Sequence, residues 1–68
     1  MSPPPPGLVR IIGITVSDPS PMLRGTRYKV ECQMAEGDAV LELCKARMQM
    51  LGIFDAFWSG RLISLPVQ

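Results

Sequence analysis

The sequence lacks histidine altogether, which removes the most common general base and the most common metal ligand. Ser17 and Asp18 are adjacent, but with no histidine and no obvious lysine base beside them they do not indicate a nucleophilic triad. The glycines are dispersed and never take the G-x-G-x-x-G spacing of a phosphate-binding loop. We therefore expect no enzymatic activity, no cofactor and no small-molecule substrate.

Sulfur ligands are present, but their placement does not predict a metal site. Soft sulfur suits Cu(I), and the chain has two cysteines and five methionines. On a helix, Met48 and Met50 would point about 200° apart, so one ion could not bind both side chains. Methionine more often fills irregular gaps in a core, and we expect no metal.

Charge of either sign is sparse, and the formal net charge is only +1. Binders of nucleic acid or of anionic membranes normally carry a clear basic excess. Arg24, Arg27 and Lys29 form the one basic cluster, but strand alternation would point Tyr28 away from Arg27 and Lys29. No membrane partner is expected. A small nucleic-acid-binding module with a basic strand face is the alternative hypothesis, and it would use Arg24, Arg27, Lys29, Lys45 and Arg61.

Cysteines and long apolar runs are also few. Cys32 and Cys44 are too few for a secreted disulfide framework, and we interpret them as two buried thiols in a reducing compartment, although one bridge would be possible. The apolar residues 8–16 are too short to span a bilayer, and no basic region of a signal peptide precedes them. A cytoplasmic location is predicted.

Two segments are predicted to be strands. Residues 8–17 are rich in β-branched side chains and are followed by a proline-rich turn at 18–21. Both of their alternating faces are largely apolar, which is typical of a strand covered on both sides. Residues 26–34 alternate between apolar and polar side chains, as in an antiparallel strand with one solvent-exposed face.

The remaining segments complete an α+β fold. Residues 36–51 show a helical pattern that ends at Gly52, residues 53–58 suggest an extra turn, and residues 61–67 read as a short final strand. The predicted order is strand, strand, helix, strand. One helix would pack on a three-stranded antiparallel or mixed sheet.

The first residues differ in composition from the rest of the chain. Residues 1–7, MSPPPPG, favour an extended polyproline II conformation and cannot form a core. We predict a proline-rich arm at 1–7 and a single α+β domain at 8–68. A stiff arm loses little entropy on docking, which favours contact with a neighbouring molecule.

Apolar surface in excess of what one helix can cover predicts a protein partner or self-association. A chain of roughly 60 residues buries only about 60% of its unfolded surface. Trp58 is the best candidate for an exposed anchor, since tryptophan, methionine and arginine are enriched at interface centres. The predicted partner-binding residues are Val9, Ile11, Met22, Leu23, Arg24, Arg27, Lys29, Trp58 and Arg61.

The stretch from Tyr28 to Met48 is similar in a generic way to segments of small phage and bacterial accessory domains. This similarity implies no activity. Our leading hypothesis is a non-enzymatic interaction module. It would act as a small inhibitor or adaptor, or as a cementing subunit of a larger and phage-related assembly.

Overall fold

The computed structural model describes residues 4–18 and 25–65. In chain order the elements are β1 (Val9–Asp18), β2 (Thr26–Met34), β3 (Gly37–Lys45), α1 (Arg47–Ser59) and β4 (Leu62–Ile63). The strands form one antiparallel sheet in the order β3-β2-β1-β4. The α+β class is confirmed, but three strands rather than two precede the helix.

The prediction of a helix over residues 36–51 is wrong, because most of this segment is β3. A tight turn at Ala35 and Glu36 returns the chain, and Gly37 follows it with a φ of 127°. The helix-forming preferences of Glu, Leu and Ala amount to only tenths of a kcal/mol per residue. Pairing along the whole of β2, from Thr26↔Lys45 to Met34↔Gly37, outweighs them.

The helix starts later and ends later than predicted. The Ala46 N–H donates to Gln49 Oε1 at 2.9 Å at its start. At its end, the Gly60 N–H donates to the Ala56 carbonyl at 2.9 Å, with Gly60 at a φ of 73°. Gly52 therefore lies inside α1 instead of ending a helix, and residues 53–58 belong to the same helix instead of forming a separate turn.

A bulge in β1 explains why its sequence is apolar on both alternating faces. Ile11 pairs with Cys32, but the next partner pair is Gly13 and Glu31, so Ile12 is skipped. Antiparallel partners lie on the same face of a sheet. The skip therefore brings the apolar residues before and after Ile12 to one face of the sheet. The prediction of a strand that is covered on both faces is wrong. These residues are Val9, Ile11, Ile14 and Val16.

The core lies between this inner face of the sheet and α1, which packs mainly on β1. Tyr28 contacts Phe54 edge-on, with ring centroids 5.9 Å apart and planes at 80°. Such a pair is favourable beyond the area that it buries. The buried side chains are Val9, Ile11, Tyr28, Val30, Cys32, Met50, Ile53 and Ala56.

The described part of the predicted arm makes a turn. The Leu8 N–H donates to the Pro5 carbonyl at 3.2 Å, with Pro6 and Gly7 between them. Gly7 has a φ of 84°, and proline followed by glycine at positive φ is the preferred sequence of a type II turn. Pro4, just before the turn, is buried. The division into an arm at 1–7 and a domain at 8–68 stays a prediction.

The final strand is shorter than predicted. Up to residue 65, Leu62 and Ile63 alone pair with β1, opposite Arg10 and Val9. The predicted strand at 61–67 extends past residue 65, where the described residues end. β2 is confirmed with the predicted bounds, and β1 is displaced by one residue from the predicted 8–17.

Candidate interaction surfaces

Two of the predicted partner-binding residues lie inside the fold. Val9 and Ile11 are only 2% and 3% exposed. Ile11 pairs with the buried Cys32, so this part of β1 faces α1, and this corrects the expectation that Val9 and Ile11 lie on an outer apolar face. Met22, Leu23 and Arg24 lie outside the described residues.

Arg27 and Lys29 lie where strand alternation predicts, on the solvent-exposed outer face of the sheet. Lys29 pairs with Glu42 of β3 and with Thr15 of β1. Glu31 of the same strand lies beside Gly13, where an added Cβ would come within 3.5 Å of its carboxyl carbon. Among residues 25–45, acidic and basic side chains thus share this face, and they form no strip of positive charge alone.

Arg61 lies next to the end of α1 and forms an ion pair. Its guanidinium Nη2 donates to Asp55 Oδ2 at 2.8 Å, and both side chains are more than half exposed. The Arg61 backbone N–H donates to Ser59 Oγ at 3.3 Å. Exposed ion pairs contribute at most about 1 kcal/mol, so this pair mainly fixes the chain where it leaves the helix.

Trp58 lies on the outward side of α1 and is 82% exposed. Its ring contacts the half-buried Phe57 ring, with centroids 5.5 Å apart and planes tilted by 51°. Leu51 precedes it by two helical turns and is 52% exposed, and Met48, one turn earlier, is 77% exposed. These three side chains, Met48, Leu51 and Trp58, are called the outer α1 stripe below.

The spacing of the stripe follows directly from helix geometry. Residues seven positions apart differ by only about 20° around a helix, so Leu51 and Trp58 are nearly aligned. At 1.5 Å per residue, the stripe is about 15 Å long. Of these three residues only Trp58 was predicted to bind a partner, because the predicted helix ended at Gly52 and left Trp58 in a separate turn. A helix starting at Arg47 would have shown the spacing.

The two edges of the sheet differ. β4 is only two residues long, whereas β3 runs for nine residues. Within the described residues, β3 pairs with β2 alone, and that pairing has no register shift. One side of the β3 backbone therefore presents unpaired N–H and C=O groups along its whole length.

The cysteines occupy different environments, contrary to the prediction of two buried thiols. Both are free, and Cys32 is buried whereas Cys44 is exposed. Burial raises the pKa of the Cys32 thiol, which donates to the Val30 carbonyl at 3.7 Å. Cys44 lies opposite Arg27 on the outer face, since it belongs to a strand rather than to a helix.

A shallow cleft of about 390 Å³ lies between the turn at residues 5–8 and the β2–β3 hairpin. Its walls are largely apolar, with Val9, Met34, Ala39 and Leu65 among them, and Glu36 at one side. Pockets that orient a small molecule combine such walls with several converging polar groups. Among the described residues that line this cleft, Glu36 alone is charged.

Comparison of the chain with protein families, curated proteins and solved structures finds no match. Residues 4–18 and 25–65 contain no group of three or more cysteine, aspartate or glutamate side chains placed to hold a metal ion. In the same ranges, no helix is both long enough and apolar enough to cross a membrane.

Proposed function

We propose that this chain is a non-enzymatic protein-interaction module that docks through the outer α1 stripe, with Trp58 as its anchor. One observation carries the proposal: Met48, Leu51 and Trp58 are 77%, 52% and 82% exposed on the same side of a helix whose other side is packed. Isolated exposed apolar residues are common on proteins, but an aligned set that includes tryptophan is a typical interaction surface.

The energetic contribution of Trp58 is large for so small a surface. An aromatic side chain buries roughly 150–250 Å², and apolar area contributes about 25 cal/mol per Å². Complete burial of Trp58 in a partner would thus contribute about 4–6 kcal/mol before the costs of association. Interfaces depend on a few such anchors, commonly tryptophan, tyrosine and arginine.

The geometry favours a partner with an apolar groove. An amphipathic helix that inserts into a groove presents residues at spacings of three, four and seven positions. The stripe has the spacings of three and seven, and Asp55 occupies the position four residues after Leu51. Asp55 also precedes Trp58 by three residues, so it lies on the same side of α1. A groove for the stripe must therefore also accept the exposed Asp55–Arg61 ion pair. An inhibitor or adaptor and a cementing subunit would both use a helix face in this way.

The test compares proteins captured by the immobilised full chain with those captured by Trp58→Ser. Val16→Ala is the matched control, because Val16 is 50% exposed but lies on the sheet. The proposal predicts a species that wild type and Val16→Ala retain and that Trp58→Ser loses by at least tenfold, with circular dichroism unchanged. Equal retention by all three chains would contradict it.

A complex captured in this way can be examined further with the intrinsic fluorescence of the chain. Trp58 is its only tryptophan, so emission reports on the stripe alone when the partner lacks tryptophan or is labelled separately. The proposal predicts a blue shift and protection from acrylamide on binding. A complex in which Trp58 stays as accessible as in the free chain would show that docking uses another surface.

A further inference from the structure

We infer that two copies of this chain associate through their β3 edges, antiparallel, with Leu41 of each copy at the two-fold axis. This surface is separate from the outer α1 stripe and does not depend on the proposed function. The contrast between the sheet edges suggests it. At one edge β4 covers only Val9 and Arg10, and the rest of β1 is interrupted by two register shifts, whereas β3 presents nine residues of backbone without a shift.

Of the usual devices that block edge pairing, the described length of β3 has only Lys45, an inner-face charge at the very end of the strand. Proteins protect edges with prolines, bulges, very short strands or charges that obstruct an approaching strand. β3 has no proline, and its register with β2 is continuous. Asp38 and Glu42 lie on the outer face of the sheet, because their partners Gln33 and Lys29 do, so they do not obstruct the edge.

The inner face of β3 gives a further reason for pairing. Ala39, Leu41 and Leu43 form an apolar row that is only half-buried, because α1 packs mainly on β1. In the inferred dimer, Leu41 lies opposite the second copy's Leu41, and Ala39 lies opposite the second copy's Leu43. Two incomplete apolar rows then shield one another, as cross-strand pairs do within a sheet.

Charge and the length of strand that is paired together select this register among the symmetric ones. A two-fold axis through Val40 would place Asp38 opposite the second copy's Glu42, and an axis through Glu42 would place the two copies of Glu42 opposite each other. Like charges directly opposite are destabilising. An axis through Leu41 pairs the full strand from Gly37 to Lys45 and places Asp38 opposite Cys44, with no like charges opposite each other.

A second copy is the occupant that the chain itself supplies. The unpaired N–H and C=O groups of its own β3 edge can pair with those of the first copy. Its net charge of +1 produces little repulsion between copies. A strand pair of this length lies at the small end of specific interfaces, which bury about 1,200–2,000 Å². The dimer is therefore expected to be reversible and to depend on protein concentration.

Disulfide formation tests the register directly in the full chain. In Asp38→Cys, the new thiol lies opposite the second copy's Cys44, and added diamide can accept the two electrons and two protons that each bridge releases. Positions 38 and 44 of one strand are about 20 Å apart, so a bridge within one copy cannot form. The inference predicts that a covalent dimer becomes the main product on a non-reducing gel.

The double variant Asp38→Cys/Cys44→Ser is the matched control. The thiol introduced at position 38 then has no partner thiol in the inferred register, because the two copies of position 38 are also about 20 Å apart. Cross-linking should fall at least tenfold. If the double variant cross-links as well as Asp38→Cys, random collision explains both products and the inference is overturned.

Sedimentation equilibrium supplies a second, reversible measurement. Cys44→Asp places an acid opposite Asp38 twice in the dimer, while within one copy it faces Arg27 and should not disturb folding. At 0.2–1 kcal/mol per pair, dimerisation should weaken roughly 2- to 30-fold. Val40→Lys, which would face Glu42 across the axis, should strengthen it.

Two further results would overturn the inference. A wild-type chain that stays monomeric at millimolar concentration overturns the inference, and leaves the edge to an extended segment of another protein. A wild-type dimer that Cys44→Asp and Val40→Lys leave unchanged overturns it as well, because the copies then associate elsewhere. In the inferred dimer, Trp58 stays accessible to acrylamide, which separates this contact from docking through the outer α1 stripe.

Discussion

The two sides of α1 carry similar residues in opposite environments. Met50 is fully buried against the sheet, whereas Met48, two positions earlier, is 77% exposed. Ile53 lies inside and Leu51 outside. A helix that is apolar on more than one side is usually covered on more than one side. The comparison shows that the core needs only one side of α1 and leaves the other available for a partner.

The largest expected effect is a difference in stability between variants of the two α1 methionines. Met50→Ala should lower the free energy of unfolding by about 2–5 kcal/mol, because it leaves a cavity between α1 and the sheet. Met48→Ala, the matched control, should change it by less than about 0.5 kcal/mol. Urea unfolding measures both. Similar losses for the two variants would mean that Met48 is covered.

Two glycines of α1 give a smaller pair of opposite effects. Gly52 lies in the exposed interior of the helix, and an added Cβ would meet nothing within 4 Å. Gly52→Ala should therefore stabilise the chain by roughly 1 kcal/mol. Gly60→Ala should destabilise it by a similar amount, because Gly60 ends the helix at a φ of 73°. Thermal unfolding should move the two variants in opposite directions.

The smallest expected effect concerns the two thiols. Because burial raises the pKa of Cys32, the folded chain keeps this proton to higher pH than the unfolded chain does. The free energy of unfolding should therefore fall as the pH rises above the ordinary thiol pKa of about 8.5. Urea titrations from pH 7 to 10 should show that Cys32→Ala loses this contribution and that Cys44→Ser keeps it.

Disulfide-exchange reagents give an independent reading of the same difference. Cys44 is exposed and should react in the native chain, whereas Cys32 should react only on unfolding. Equal reactivity of the two thiols in the native chain would contradict the placement of Cys44 on the outer face of β3.

The alternation of apolar and polar residues was sufficient to predict β2 but not the exposed and buried faces of β1. The alternation of residues 26–34 predicts β2 with its bounds, because every second side chain there is polar. In β1 the bulge at Ile12 changes the phase of alternation, and a sequence pattern alone does not mark where a strand skips a residue. The apolar excess was therefore assigned to β1, although most of the exposed apolar surface belongs to α1.

β3 was missed because its two signals conflict. Ala39, Leu41 and Leu43 alternate with exposed residues as a strand requires, but the same segment is rich in helix-forming residues. The hydrogen bonds that decide between them come from β2, across a tight turn at Ala35 and Glu36 that the sequence analysis placed at the start of a helix. Placing the helix too early also hid the spacing of Met48 and Leu51 relative to Trp58.

Acrylamide quenching of Trp58 in the isolated chain tests most directly whether the outer side of α1 is uncovered. Since Trp58 is the only tryptophan and is 82% exposed, its quenching constant in the native chain should approach that of the urea-unfolded chain. A native constant several-fold below the unfolded one, with blue-shifted emission, would show that the chain covers Trp58 itself and would contradict the account.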